Sequence, residues 1–236
     1  MPPLVYQREG QARAEGFCTD IVMEIQRRLR SDPPVPVQIQ PWPRALARGQ
    51  HEPDVLLICP KRTAERATRF QWVGSVLQSR SYFYVRDQAG APHLSSLEDA
   101  KALSGVLLPR ASYFQELLAA QGFANLVEIP GTGMTGLRML MAGRQPALVM
   151  EDRQMAVLLR EAGLPPDAVR PALLSAVVDS DLAFSPGTPA ERVRAWRQTL
   201  VAMKRDGGFE RIYRQWFEAR PPAELLLPAP AASSGR

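Results

Sequence analysis

Long apolar runs are missing from this chain. Its longest continuous stretches, such as Val55-Leu56-Leu57-Ile58-Cys59, have the length of a buried strand, far short of the roughly 18 to 20 residues a membrane-spanning helix needs. An integral helical membrane protein is excluded. Cysteine and histidine are scarce as well, with two of each: Cys18, Cys59, His51 and His93. No C-x-x-C pair and no His/Cys cluster occurs, so neither a disulfide scaffold nor a zinc centre is expected. We expect no metal and no cofactor. Cys18, at the start of a helix, and Cys59, at the end of a strand, read as small buried hydrophobes, with pairing between them left open. One-sided charge is lacking too, because 29 basic and 24 acidic residues leave a net +5. The basic residues, nearly all Arg, are interleaved with acids, and no helix-turn-helix or aromatic-basic platform accompanies them, so nucleic acid is not an expected partner.

What is present is core material. The chain has 236 residues, 45% hydrophobic and 22% charged, which fits one large domain or two smaller lobes and excludes a disordered chain. Ile21, Val22, Ile25 and Leu29 mark one face of a first helix. Val35, Val37 and Ile39 alternate with polar or proline positions, which predicts a half-buried strand. From Val55 onward strand-like and helix-like segments alternate: strands at Val55 to Cys59, Gly105 to Leu108, Leu126 to Ile129 and Ala147 to Met150, with helices near Ser96 to Leu103, Ser112 to Gln121, Gly133 to Ala142 and Asp152 to Ala162. Two helices, Pro189 to Arg205 and Phe209 to Ala219, close the pattern. Such alternation predicts an α/β fold with parallel sheets covered by helices. The tail, 221 to 236, is rich in Pro, Ala and Ser and is expected to be disordered.

Two motifs compete for attention. Gly131 to Gly136 matches G-x-G-x-x-G after a strand and before a helix, with Glu151 where a ribose acid would stand. Too few strands follow it to complete a nucleotide-binding half, which argues against a dinucleotide site. The segment Cys59-Pro60-Lys61-Arg62-Thr63-Ala64-Glu65-Arg66 gathers donors after a buried strand, where α/β sheets place ligands and where a guanidinium can grip a carboxylate through two parallel bonds. Its plainer reading is a solvated helical turn with a Glu65–Arg69 ion pair. No Ser/His or Cys/His arrangement and no carboxylate pair suggests a catalytic residue, and His51 and His93 read as surface histidines.

Thr63-Ala64-Glu65-Arg66 resembles the T-P-E-R element of the family 3 extracellular solute-binding proteins, receptors of polar amino acid ABC transporters. Gly16-Phe17-Cys18-Thr19-Asp20 resembles their G-F-D-x-D helix start. Pro41-Trp42-Pro43-Arg44-Ala45 resembles a P-W-x-R-A variant, and Gly143-Arg144-Gln145-Pro146-Ala147 resembles G-R-x-D-A. Phe184 to Pro189 resembles the returning strand and turn, and Asp206-Gly207-Gly208 through Trp216 the closing helix. These elements stand in the family's order from Pro3 to Phe217.

The resemblance implies a bilobed periplasmic-binding-protein type II fold: two parallel-type sheets joined by two hinge strands, Tyr82 to Val85 and Val178 to Phe184. Lobe 1 would comprise 1–83 and 184–220, and lobe 2 residues 84–183. It implies a non-catalytic, monomeric, periplasmic receptor that closes on a small polar ligand, an amino acid or related carboxylate, and presents it to the membrane permease of an ABC transporter. Arg66 would hold the ligand carboxylate, with Thr63 in the same element and Ser112 opening a helix beside it. Trp42 would stack on the ligand, Glu151 would accept its ammonium, and Arg110 would add a second cation. The family's first strand and an export signal would precede Pro3, so we expect both to have been truncated or lost. The alternatives are an enzyme on the same fold, of the cyclohexadienyl dehydratase kind, and a ligand-sensing domain.

Overall fold

The computed structural model describes residues 3–226 except 32 and 132. After an isolated bridge between Tyr6 and Glu15, the elements are α1 (Phe17–Arg28), α2 (Trp42–His51), β1 (Leu56–Lys61), α3 (Ala64–Ala67), β2 (Gln71–Arg86), α4 (Leu97–Lys101), β3 (Val106–Pro109), α5 (Tyr113–Ala120), β4 (Leu126–Ile129), α6 (Met134–Met141), β5 (Ala147–Glu151), α7 (Asp152–Glu161), a short 3-10 turn, β6 (Val169–Phe184), α8 (Ala190–Arg205), α9 (Gly208–Phe217) and α10 (Ala223–Leu226). Hydrogen-bonded neighbours run in the order β1-β6-β2-β5-β3-β4. The chain divides into two compact units, Met1–Gln78 with Asp179–Arg236, and Ser79–Val178.

In the first unit α1 turns Phe17, Cys18, Ile21, Val22 and Ile25 inward against Trp196, Leu200 and Met203 of α8 and Phe209, Ile212 and Tyr213 of α9. The helix begins at Gly16, whose φ of 124° and close approach to the Leu4 carbonyl leave no room for a side chain. Arg28, in the last turn of α1, pairs with Asp206 between α8 and α9 at 2.5 Å, so the helix end, the interhelix turn and a favourable dipole contact coincide. β1 pairs antiparallel with β6, Leu56 opposite Phe184.

In the second unit β3 lies parallel to both β4 and β5, and β2 is antiparallel to β5. The parallel pairs β3–β4 and β3–β5 are reached through crossover helices, as parallel neighbours require. One face packs Phe83, Val85, Leu108, Phe114, Leu118 and Phe123 together, and the other packs Leu107, Ile129, Leu137, Leu140, Leu148 and Met150. Two glycines of the G-x-G-x-x-G run, Gly133 and Gly136, are used for this packing. A Cβ at Gly136 would stand 2.5 Å from Ile129 Cδ1, and one at Gly133 would stand 2.6 Å from Met150 Cε.

Four expectations change. The segment from Val35 to Ile39 is not a strand, and Val35 and Ile39 are exposed. Pro34 and Pro36 lack the donors a ladder needs, and the backbone of Val35 bonds the Gln26 side chain instead, donating at 2.7 Å and accepting at 3.0 Å. Cys18 and Cys59 are joined by a disulfide, with Cα atoms 6.5 Å apart, because α1 and the end of β1 pack side by side. Within the supposed tail, 223–226 form α10 and bury Leu225 in the first core; residues 227–236 lie outside those described. The crossing strands are single 16-residue strands, and the units divide at 78/79 and 178/179, five residues before 83/84 and 183/184.

Candidate functional site

In the first unit the expected residues collect around the end of β1. The strand carries a bulge between Ile58 and Lys61, and Cys59 has φ 58°, a left-handed conformation uncommon outside glycine. The disulfide fixes the side chain at this bend. The chain then delivers four polar side chains in succession. Lys61 donates to Ser180 Oγ at 2.8 Å in a buried contact. Arg62 lies over the Trp72 ring at 5.3 Å and 3.7 Å from Asp181. Thr63 accepts from the Arg66 backbone N–H at 3.2 Å, capping α3. Arg66 is only 3% exposed, with its guanidinium 5.5 Å from the Trp42 ring centre, a cation–π contact. Thr63, Arg66 and Trp42 therefore come together, while Glu65 and Arg69 form the ion pair of the plainer reading at 2.8 Å.

In the second unit Ser112 is the N-cap of α5 but makes no capping bond, and its buried Oγ has no hydrogen-bond partner in the structure. A buried hydroxyl without a partner costs about 1 to 3 kcal/mol, and an incoming acceptor at a helix start would recover it. Glu151, 7% exposed, ends β5 opposite Ser81. Tyr113 follows Ser112 and faces the same carboxylate: burial, reinforced by the charge of Glu151, pushes its phenol far above the ordinary value. Tyr113, Ser81 and Glu151 thus form one polar group, with Ser112 next to Tyr113 in the chain. Arg110 turns elsewhere, donating to Glu128 at 3.2 Å with its side chain 71% exposed.

Sequence reasoning passed over three residues here. Tyr113 could have been found, being adjacent to a candidate N-cap hydroxyl. Asp181 and Ser75 could not, because only the pairing of β2 and β6 places them beside Arg62. His51 and His93 are exposed. Among the described residues no group of His, Cys, Asp and Glu could hold a metal ion, and no helix is long and apolar enough to cross a membrane.

The profile of the bacterial extracellular solute-binding proteins, family 3, matches residues 1–219. No curated protein sequence matches the chain. Among solved structures, a histidine kinase sensor domain with similarity to periplasmic binding proteins superposes with a TM-score of 0.78 at 21% identity, over 94% of this chain and 93% of that one. An ancestral arginine-binding protein bound to arginine gives 0.71 at 21%, over 92% and 93%. The arginine-, lysine-, histidine-binding protein of Geobacillus stearothermophilus gives 0.72 at 16%, over 95% and 94%. The shared architecture is the periplasmic-binding-protein type II fold.

Proposed function

We propose, from the premise that this chain belongs to the bacterial extracellular solute-binding proteins of family 3, that it is the substrate-binding receptor of an ABC transporter for an amino acid or related small carboxylate. Arg66 grips the ligand carboxylate, with Thr63 setting the turn that presents it and Ser112 donating from the helix start. Trp42 covers the ligand side chain and Glu151 accepts its ammonium. Arg110 enters as a contributor of positive potential, held in place by Glu128. The protein acts as a monomer that closes on its ligand and meets a membrane permease, outside the cytoplasm.

The observation that carries this reading is Arg66: a guanidinium 3% exposed, fixed by a capped turn and faced by an indole. A guanidinium held in this way can grip a carboxylate through two parallel bonds. The disulfide supports an oxidising compartment. Binding without turnover is favoured by the family match, whose members are solute-binding proteins. The test is a thermal-shift screen of amino acids, opines, polyamines and small carboxylates, followed by calorimetry. A stabilising ligand recovered chemically unchanged supports a receptor, and a ligand converted to product supports the enzyme alternative, for which the ancestral precursor of cyclohexadienyl dehydratase, TM-score 0.70 at 18% identity, is the relevant neighbour. A sensing role is the second reading, prompted by the kinase sensor domain above. A permease and ATPase encoded beside the gene would favour transport over it.

A further inference from the structure

Where the chain passes from one unit to the other, just after Gln78 and just before Asp179, the first unit holds a polar cluster that the ligand-binding reading leaves unused. Ser75 Oγ lies 3.1 Å from Asp179 Oδ2 and 2.8 Å from Asp181 Oδ1. A hydroxyl carries one proton and can donate to one of these oxygens. The other short contact is attractive only when the carboxyl supplies a proton itself and donates back to the hydroxyl oxygen. Asp181 is fully buried, and its Oδ2 accepts no hydrogen bond from any described residue. The charged and polar groups facing the pair are Arg62 at the end of β1, 3.7 Å from Asp181 Oδ2, Lys204 from α8, and Gln78 from β2, 3.4 Å from Asp179 Oδ1. Lys61 beside them is turned to Ser180. One guanidinium at ion-pair distance, one hydroxyl between the two carboxyls and one amide on Asp179 leave Asp181 Oδ2 without a hydrogen bond among the described residues.

We propose that Ser75, Asp179 and Asp181 form a proton-binding site in which one carboxyl is held neutral at mildly acidic pH, and that this proton is coupled to Arg62. Burial, with the neighbouring charge of Asp179, raises the Asp181 carboxyl to about 6 against the opposing pull of Ser75, Arg62 and Lys204. Burial also lowers the Lys204 ammonium to about 8, which leaves it charged at mildly acidic pH and part of the pull that opposes the proton on Asp181. With Asp181 neutral, the positive charge of Arg62 has no counterion at this contact and is free to pair with another anion. With Asp181 ionised it is engaged. The coupling is reciprocal: whatever Arg62 does to the proton, the proton does to Arg62.

The test needs no ligand and therefore stands or falls apart from the receptor reading. Infrared spectra of the wild type at about pH 6, where ordinary aspartates and glutamates are ionised, should contain the carbonyl stretch of a neutral carboxyl that is absent from Asp181→Asn. A spectrum with every carboxyl ionised, or a band that persists in the variant, overturns the proton site. Should Asp181→Asn fail to fold, the wild-type band alone, titrated with pH, decides the same point. In Arg62→Gln the band should survive to higher pH by about half a unit, a threefold gain in proton affinity. An unchanged midpoint overturns the coupling.

Discussion

Arg66 and Arg62 sit four positions apart, each over an indole, and differ in burial, Arg66 being 3% exposed and Arg62 having 38% of its side chain open beside Asp181. That contrast assigns them different work. Once a ligand is identified, Arg66→Lys should weaken it tenfold or more, about 1.4 kcal/mol by calorimetry, because an ammonium cannot reproduce a two-bond grip; unchanged affinity would remove Arg66 from the site. Glu151→Gln should cost an α-amino acid about 1.5 to 3 kcal/mol, the worth of a hydrogen bond to a charged group, and leave its deaminated analogue bound nearly as before. Stronger binding of an amine-free anion in that variant would mean that Glu151 repels the true ligand. The contact of Thr63 with Arg66 was legible in the sequence because a local motif, T-x-x-R after a buried strand, carries both. Asp181 was not, since its burial and its proximity to Ser75 are created by two strands far apart in sequence.

Among the elements, the link between α1 and β1 has the largest energetic weight outside the core. The disulfide closes 41 residues, and the chain-entropy relation gives about 4 kcal/mol for a loop of that length. Denaturant unfolding with and without reductant should show a loss of that order; equal stability would mean that the packing of α1 alone holds the bend at Cys59. At the other end, α10 is four residues with one fully engaged side chain, and Leu225→Ala should cost about 2 to 3 kcal/mol, read as a lower denaturation midpoint. The alternation of strands and helices from Val55 onward was readable because strands such as β3 and β5 bury short apolar runs and helices such as α6 and α7 bury apolar positions spaced on one face. The segment from Val35 to Ile39 has the same period and, among the described residues, no partner strand, its Val35 backbone bonding the Gln26 side chain instead. Period alone cannot report whether a partner strand exists, and the flanking prolines were the better signal. Likewise a tail judged on Pro and Ala content conceals one leucine that finds a core.

At the scale of the molecule, two carboxyls give opposite pH slopes. Glu24, bonded by Arg27 and Arg28, is lowered to about 2. Its contribution is present above the ordinary carboxylate range and is lost as pH falls toward 2. Asp181 is raised above its ordinary 3.8 to about 6, so the folded state keeps a proton that the unfolded chain releases, and stability drains away as pH rises from about 4 to 6. The melting temperature of the wild type should therefore decline across that window, while Asp181→Asn should lack the decline. Parallel curves for the two proteins would return Asp181 to an ordinary acid.

The second unit is an insertion: Ser79–Val178 interrupts a first unit whose two parts lie on either side of it in the chain. Pulled by its ends in an optical trap, such a polypeptide transmits tension through the flanking parts first, and the inserted hundred residues bear load only after the host has torn open. Extension traces should then contain two ordered rips, the larger host first. With Cys18 and Cys59 oxidised, the first rip should fall short by the contour length that the covalent loop withholds.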